Sequence, residues 1–331
     1  MTKNSSNIIK SFLNDFPEIF HSPQKVNAYL QDYSKNIEEI IVKDFVNFGL
    51  KDDFAIYANG GFGRQELYPS SDIDLSIIQK KKNINNSDNL EKFIAKLWDL
   101  GLQVGHSVRT IKDIKKIAKE DPKEFTSYLT RRPLLTNKKT DESINLALSK
   151  IWSKKKFYKV KFSEQEERYK SFFSTEYNLE PNLKESPGTL RDFQTSLWIL
   201  QHCFDLENID GIKKSKEFGN EIEEVINSYN FVKAMRYITN IISNKNRLTF
   251  EIQVEIADKA KLKEGTTKRS VEKLMQKFYE NASNLSNLKN KINLQLQKIM
   301  ESFLYEEVKL VLRKMLILKS KKSLYSIFLL Q

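Results

Sequence analysis

Two aspartates separated by one residue are the part of this sequence best suited to chemistry. Asp72 and Asp74 flank Ile73 at the start of an alternating apolar stretch. Side chains two residues apart on a strand share a face, which puts the two Cα atoms about 6 to 7 Å apart. Carboxylates at that spacing repel each other unless a cation lies between them. Mg²⁺ prefers oxygen ligands and links carboxylates to substrate phosphates, so we predict that Asp72 and Asp74 are the metal ligands and the catalytic residues.

A glycine-rich segment precedes the acidic pair. A Gly-Gly turn that opens a helix lets backbone N–H groups approach a triphosphate, where a Cβ atom would block it. An arginine after the glycines would neutralise phosphate charge. We therefore predict nucleotide binding by Gly60, Gly61, Gly63, Arg64 and Ser71. The alternative is a hairpin loop with a solvent-facing acidic pair, because Asp-x-Asp is frequent by chance; the glycines between two predicted strands favour the metal site.

A second group of candidates lies at a predicted helix start near Pro187-Gly188. Such a helix start is suited to holding phosphate or ribose, so we predict that Lys184, Arg191 and Asp192 also bind the nucleotide. Salt bridges between domains are an equally good interpretation of these three residues.

The strands that must position the acidic pair are short. Residues 54–58 form an apolar run that ends at glycines, and residues 73–78 alternate, so we predict two strands joined by a glycine-containing turn. A helix at 90–100 and a third strand at 102–109 complete a compact unit. The first 50 residues have helical spacing and predict two or three short helices.

The second half of the chain has helical periodicity throughout. Helices are predicted at 152–173, 188–204, 220–242, 253–261 and 271–303. The fold class is therefore α+β: a mixed sheet with helices, followed by an all-α helical domain. The predicted divisions are N-terminal helices at 1–50, a catalytic domain at 51–145, the helical domain at 146–305 and a basic tail at 306–331.

Length and composition exclude several classes of protein. The 331 residues suggest about two domains, and the 40% hydrophobic content is typical of a globular chain. The single cysteine cannot form an internal disulfide, and Asp15 and Glu18 interrupt the N-terminal apolar stretch, so we expect a cytoplasmic protein. We expect no membrane partner, because no stretch of about 18 apolar residues is free of charge.

The net charge of +12 is mostly lysine, because only ten of the 55 cations are arginine. We interpret it as a solvated surface and do not expect a nucleic acid partner. Where lysine is the default cation, an arginine marks a place that needs a planar, forked donor for phosphate or carboxylate.

The residues around the acidic pair resemble a known family. Gly60-Gly61-x-Gly63-Arg64-x-Glu66-Leu67-x-Pro69-x-Ser71-Asp72-Ile73-Asp74 is similar to the nucleotidyltransferase motif of the bacterial protein-PII uridylyltransferases, in the DNA polymerase β-like superfamily. Further segments are similar to the family in the same order: 97–102, 104–110, 177–192, 246–250 and 271–279. The resemblance covers residues from about 52 to 288.

The resemblance implies a polymerase β-like sheet and an Mg²⁺-dependent reaction. In that reaction UMP would pass from UTP to a tyrosine hydroxyl of the PII signal protein, and pyrophosphate would leave. The family also carries an HD-type metal domain for uridylyl removal and ACT domains for glutamine sensing. None of the three histidines is followed by aspartate. We therefore expect a short form that lacks both regions.

Two alternatives to this function remain open. The chain could use another nucleotide or acceptor, as in protein adenylylation or extension of an RNA end. It could instead be a non-catalytic remnant that binds nucleotide or PII. The superfamily often adds a third carboxylate on a later strand, but Gly105-His106-Ser107 offers no acid there, and Asp99 lies on the preceding predicted helix. The sequence leaves the oligomeric state open.

Overall fold

The computed structural model of this chain contains a four-stranded sheet with packed helices and describes residues 3–81, 86–172, 177–206, 208–262 and 269–298. The chain divides into two compact units, Met1–Ser286 and Asn287–Gln331. Within the second unit, the described residues 287–298 are helical. The predicted basic tail at 306–331 lies outside the described residues, and the predicted divisions near 50 and 145 stay predictions.

The sheet contains the three predicted strands and a fourth. The strands are β1 (Phe54–Ala58), β2 (Ile73–Gln79), β3 (Val104–Arg109) and β4 (Arg132–Leu135), in the order β3-β2-β1-β4. Strand β1 pairs antiparallel with β2 and β4, and β2 pairs parallel with β3. The prediction missed β4, whose four residues include a proline and carry no clear alternation.

Burial explains how the sequence patterns produce the two central strands. All five residues of β1 are buried, and burial on both faces accounts for its continuous apolar run. In β2 Asp74 lies between the buried Ile73 and Leu75, so its carboxylate points to the face away from their core. A one-turn helix, α3 (Gly60–Gly63), joins these strands where the sequence predicted a turn.

Helices cover the sheet and continue beyond it. Those of the first half are α1 (Lys3–His21), α2 (Val26–Asn47), α4 (Ser87–Asp99), α5 (Ile111–Glu120), α6 (Pro122–Leu129) and α7 (Lys138–Leu148). The first two are long, so the expectation of short N-terminal helices was wrong. A hydrophobic core lies between the sheet and helices α2 and α4. In it the rings of Phe45 and Phe93 pack together, with centroids 5.4 Å apart.

The remaining helices, with residues 269–286, are called the helical region below. They are α8 (Lys154–Lys170), α9 (Leu190–Phe204), α10 (Ile209–Lys214), α11 (Ile222–Ser243) and α12 (Phe250–Lys259). The predicted helices at 152–173, 188–204, 220–242 and 253–261 agree with α8, α9, α11 and α12 within a few residues, whereas α10 was not predicted. Residues 299–303 of the predicted helix at 271–303 lie outside the described residues. The α+β fold class is confirmed. Helix α11 is buried on nearly every side, polar residues included. Across the described ranges no helix combines the length and hydropathy needed to cross a bilayer.

Candidate active site

A polar cleft of about 760 Å³ opens beside the ends of β1 and β2. Helix α3, the loop before β2, and helices α6, α8, α9 and α11 contribute its walls. Eight of the ten predicted site residues line it: Gly60, Gly61, Arg64, Ser71, Asp72, Asp74, Lys184 and Arg191. Sequence positions more than 100 residues apart therefore meet in one cavity, as the two groups of candidates required.

The sheet register fixes the position of Asp74. Its carbonyl oxygen accepts a hydrogen bond from the Asn59 N–H at 2.9 Å, and its partner residue in β3 is Gly105. Glycines flank both carboxylate oxygens. A Cβ atom on Gly60 would lie 2.7 Å from Oδ2, and one on Gly105 would lie 3.4 Å from Oδ1. The missing side chains therefore leave open space around the carboxylate.

The surroundings of Asp74 disfavour the charged form of its carboxyl group. Loss of hydration raises the pKa of this carboxyl, and repulsion from Asp72 raises it further. Lys184 and Arg64 act in the opposite direction. In the described part of the chain no side chain donates a hydrogen bond to Asp72 or Asp74. A divalent cation would relieve the repulsion between them.

Both carboxylates fit a magnesium ion by their donor chemistry, because they offer oxygen atoms beside open space. Within the described ranges no group of three or more acidic, histidine or cysteine side chains could hold a metal. Mg²⁺ commonly keeps waters and takes substrate phosphate oxygens beside one or two carboxylates. Two protein ligands therefore suffice for a site that is completed by a nucleotide.

The three predicted glycines have different surroundings. Gly60 has a φ of +55°, a conformation that favours glycine, and Gly61 also lines the cleft. Gly63 is buried behind it, and a Cβ atom there would lie 2.6 Å from the Thr130 carbonyl oxygen and 2.8 Å from that of Ala58. Its visible function is close packing of α3 against β1 and the end of α6, away from the cleft surface.

Arg64 follows α3 and reaches the cleft from a buried setting. Its Nε donates to Glu66 Oε2 at 2.9 Å, and its side chain is 20% exposed. Glu66 also accepts hydrogen bonds from Tyr229 of helix α11. The motif loop is thus attached to the helical region by side-chain contacts.

The opposite wall carries two of the predicted cations. Burial, together with Arg191 and Arg236, lowers the pKa of Lys184, whereas Glu185 and Asp74 raise it. Arg191 donates to Glu185 Oε1 at 3.0 Å, and its Cζ lies 5.9 Å from the centre of the Trp198 ring. Lys184 and Arg191 therefore line the same cleft as the acidic pair.

Asp192 lies outside the cleft lining, in contrast to the expectation that it contacts nucleotide. Its side chain is fully buried. It accepts hydrogen bonds from Gln165 and the Gly188 N–H at 3.1 and 2.8 Å, and also from Arg168 and Tyr169. The carboxylate joins α8 to the start of α9, and through Arg168 it holds a residue that does line the cleft.

Several cleft residues were not singled out from the sequence. Arg168 and Arg236 line the cavity, with Lys161 and Trp198 beside them. Arg236 lies over the Tyr68 ring, 3.9 Å from its centre, and donates to Asn246 at 2.8 Å. The scarcity of arginine was the available signal, because only ten of the 55 cations in the chain are arginine.

Three other residues with reactive side chains lie away from the acidic pair. His106 occupies the opposite face of β3 and is near Trp98, with ring centroids 6.0 Å apart. Asp99 ends α4, outside the cleft lining. Cys203 is buried on α9, where burial raises the pKa of its thiol to about 12.

A mixed sheet that presents two carboxylates beside glycines and cations defines a protein of the nucleotidyltransferase class. Comparison with known proteins agrees. The family model described as GlnD PII-uridylyltransferase matches residues 156–293. The chain is 31% identical over 293 residues to a bifunctional uridylyltransferase/uridylyl-removing enzyme of Ectopseudomonas mendocina, covering 85% of this chain and 32% of that protein.

Proteins of the same name from other bacteria are similarly related. The identity is 30% for Pseudomonas aeruginosa, over 86% of this chain and 32% of the relative. It is 29% for Haemophilus influenzae, over 88% and 34%. The chain thus spans about a third of the length of the curated relatives it matches. It is similar to the PII-uridylyltransferase family over most of its length, as the motif predicted.

Proposed function

We propose that this chain transfers UMP from UTP to a tyrosine hydroxyl of a PII signal protein, with release of pyrophosphate. The observation that carries the proposal is the meeting of Asp72, Asp74, Arg64 and Lys184 in one cleft. The family match supports uridylyl transfer, and the names of the relatives specify a uridylyltransferase. The chain's own residues must then bind a triphosphate, orient it and stabilise the leaving group.

Asp72 and Asp74 would hold Mg²⁺, which when bound lowers the charge on the α-phosphate and aligns the attacking oxygen. Gly60 and Gly61 would give the phosphates close access to the first N–H groups of α3, which have no partner within a helix. The Arg64 guanidinium would contact the phosphates that leave as pyrophosphate. Lys184 would approach them from the opposite wall, where burial lowers the pKa of its ammonium group and Asp74 partly opposes that change.

The cleft would hold the reacting atoms between walls from several elements. Its walls come from α3 on one side and from α8, α9 and α11 on the other. Orientation of two reactants in such a site lowers the barrier by converting an encounter into a step within one complex. The acceptor hydroxyl would enter at the open side, above the carboxylates.

The test is incubation of the purified chain with each α-labelled nucleoside triphosphate, Mg²⁺ and a PII protein from the same source. We expect label from UTP on PII, detected by gel and mass, and loss of that label in Asp74→Asn. Asp99→Asn is the matched control, because Asp99 is an aspartate of the same region outside the cleft. It should retain wild-type labelling.

Each other outcome has a defined meaning. Wild-type turnover in Asp74→Asn would contradict the role of the acidic pair. Label from another nucleotide, or on RNA instead of PII, would keep the chemistry and change the substrate. Nucleotide binding without any label would identify a non-catalytic protein that binds nucleotide or PII.

A further inference from the structure

A buried ion cluster lies directly behind Arg64. The Glu66 carboxylate accepts hydrogen bonds from Arg64 Nε at 2.9 Å and from the Tyr229 hydroxyl at 2.8 and 2.9 Å. Lys233 Nζ lies 3.5 Å from Glu66 Oε1 and also donates to Asn27. The Glu66 side chain is only 12% exposed. One anion therefore connects the motif loop with two residues of α11.

The charges of this cluster depend on Glu66. Burial would raise the pKa of its carboxyl, but Lys233 and Arg64 outweigh burial and hold that pKa below its usual value. Burial lowers the pKa of Lys233, and Glu66 opposes this change. Without the carboxylate, Arg64 and Lys233 would be two close cations with no anion between them, and each would be displaced or lose its charge.

The contacts of Arg64 leave one side of its guanidinium for a ligand. Its Nε is taken by Glu66. Among the described residues, its two terminal nitrogens make no hydrogen bond. Arg64 lines the cleft together with Asp74, so a ligand in the cleft can reach these nitrogens. A guanidinium held at Nε can still make a forked contact with phosphate.

We propose that Glu66 is a positioning residue that acts through Arg64. The carboxylate, itself fixed by Tyr229 and Lys233, sets the orientation in which Arg64 contacts the triphosphate. The inference rests on the proposed function, because a triphosphate is the ligand that Arg64 would meet. It assigns to α11, 163 or more residues along the chain from Glu66, a direct part in forming the nucleotide site.

A double-mutant cycle on UTP affinity tests this coupling. Dissociation constants for UTP with Mg²⁺ are measured for wild type, Glu66→Gln, Arg64→Gln and the double variant. We expect each single change to weaken binding about tenfold, since one charged phosphate contact is lost. Because both changes remove the same contact, the double variant should bind no more weakly than Arg64→Gln. Effects that multiply would overturn the proposal.

A matched control separates positioning from loss of stability. Glu124→Gln breaks another partly buried contact, the bidentate pair with Arg109, and Glu124 does not line the cleft. We expect this variant to lower the melting temperature but to keep wild-type UTP affinity. If Glu66→Gln weakens UTP binding no more than Glu124→Gln does, Glu66 has only a structural role and the proposal fails.

The cycle and the labelling assay can fail separately. Multiplicative effects in a chain that labels PII would refute the positioning role alone. A non-additive cycle in a chain that binds UTP but labels no protein would support positioning and refute the transfer reaction. A wild-type chain that binds no nucleoside triphosphate would overturn both.

Discussion

Two carboxylate sites on either side of the cleft have opposite surroundings. Asp192 is fully buried and accepts hydrogen bonds from Gln165, Arg168, Tyr169 and the Gly188 N–H. Asp72 and Asp74 are exposed to the cleft, and no described side chain donates to them. All three aspartates were assigned to the site from the sequence, yet the structure surrounds only one with donors.

The difference separates a structural anion from a ligand site. A buried carboxylate that is saturated by donors contributes to stability and offers little to a ligand. A pair of carboxylates that repel each other beside open space costs stability and gains from a bound cation. Removal of each charge should therefore have opposite consequences for folding, and the variants below test that contrast.

The largest effect is expected from Asp192→Asn. The change leaves the Arg168 guanidinium without its buried anion, and we expect a loss of about 3 kcal/mol in the free energy of unfolding. Asp74→Asn removes repulsion, so its stability should equal or exceed that of wild type. Urea unfolding of the two variants gives the comparison. Equal losses in both would show that the two sites do not differ in this way.

The second prediction concerns the ligand that the open pair should bind. Mg²⁺ and UTP added together should stabilise the wild-type chain by about 2.7 kcal/mol at about 100 times their dissociation constant. The double variant Asp72→Asn/Asp74→Asn should gain much less under the same conditions. Thermal unfolding with and without the ligands measures both. A full gain in the double variant would place the binding energy elsewhere in the cleft.

Two glycines with positive φ angles provide a finer comparison. Gly60 has φ +55° and Gly101 has φ +74°, so alanine at either position should cost about 1 kcal/mol of stability through backbone strain. Only at Gly60 would the new Cβ atom meet Asp74, because nothing lies within 4 Å of such an atom at Gly101.

Gly60→Ala should therefore lose the Mg²⁺-dependent part of UTP binding, and Gly101→Ala should keep it. Isothermal titration with and without Mg²⁺ distinguishes the two. Equal UTP affinity in both variants would mean that the space beside Asp74 is not needed.

The sequence predicted most of the fold because its patterns are local. Apolar runs and alternation identified β1, β2 and β3, and the 3.6-residue period identified the long helices of the second half. Strand β4 was missed, since its four residues, one of them Pro133, owe their conformation to pairing with β1. Tertiary pairing of this kind leaves no period in a short segment.

The site was predictable as far as its motif extends. Asp72, Asp74 and the nearby glycines follow from spacing and residue type, and a predicted helix start near Pro187-Gly188 added Lys184 and Arg191. Asp192 was misplaced because a conspicuous charge at a helix start does not show which side of the helix it faces. Arg168, Arg236 and the partners of Glu66 were missed because only folding brings them to the loop.

The smallest effect concerns His202, which lies on the same helix, α9, as Asp192. It packs against Phe125 and Phe157, and burial lowers the pKa of its imidazole. The unfolded chain therefore binds the proton more readily. Stability should be full above the ordinary histidine pKa of about 6.5, and it should fall as the pH drops from there toward the folded value.

Urea unfolding of wild type and His202→Gln between pH 8 and pH 5 measures this dependence. Glutamine can still donate to the Trp152 carbonyl oxygen, which His202 Nε2 contacts at 3.0 Å, but it does not titrate. The variant should therefore lose part of the pH dependence below about pH 6.5. If both proteins lose stability equally, the acid sensitivity comes from groups other than His202, and the prediction fails.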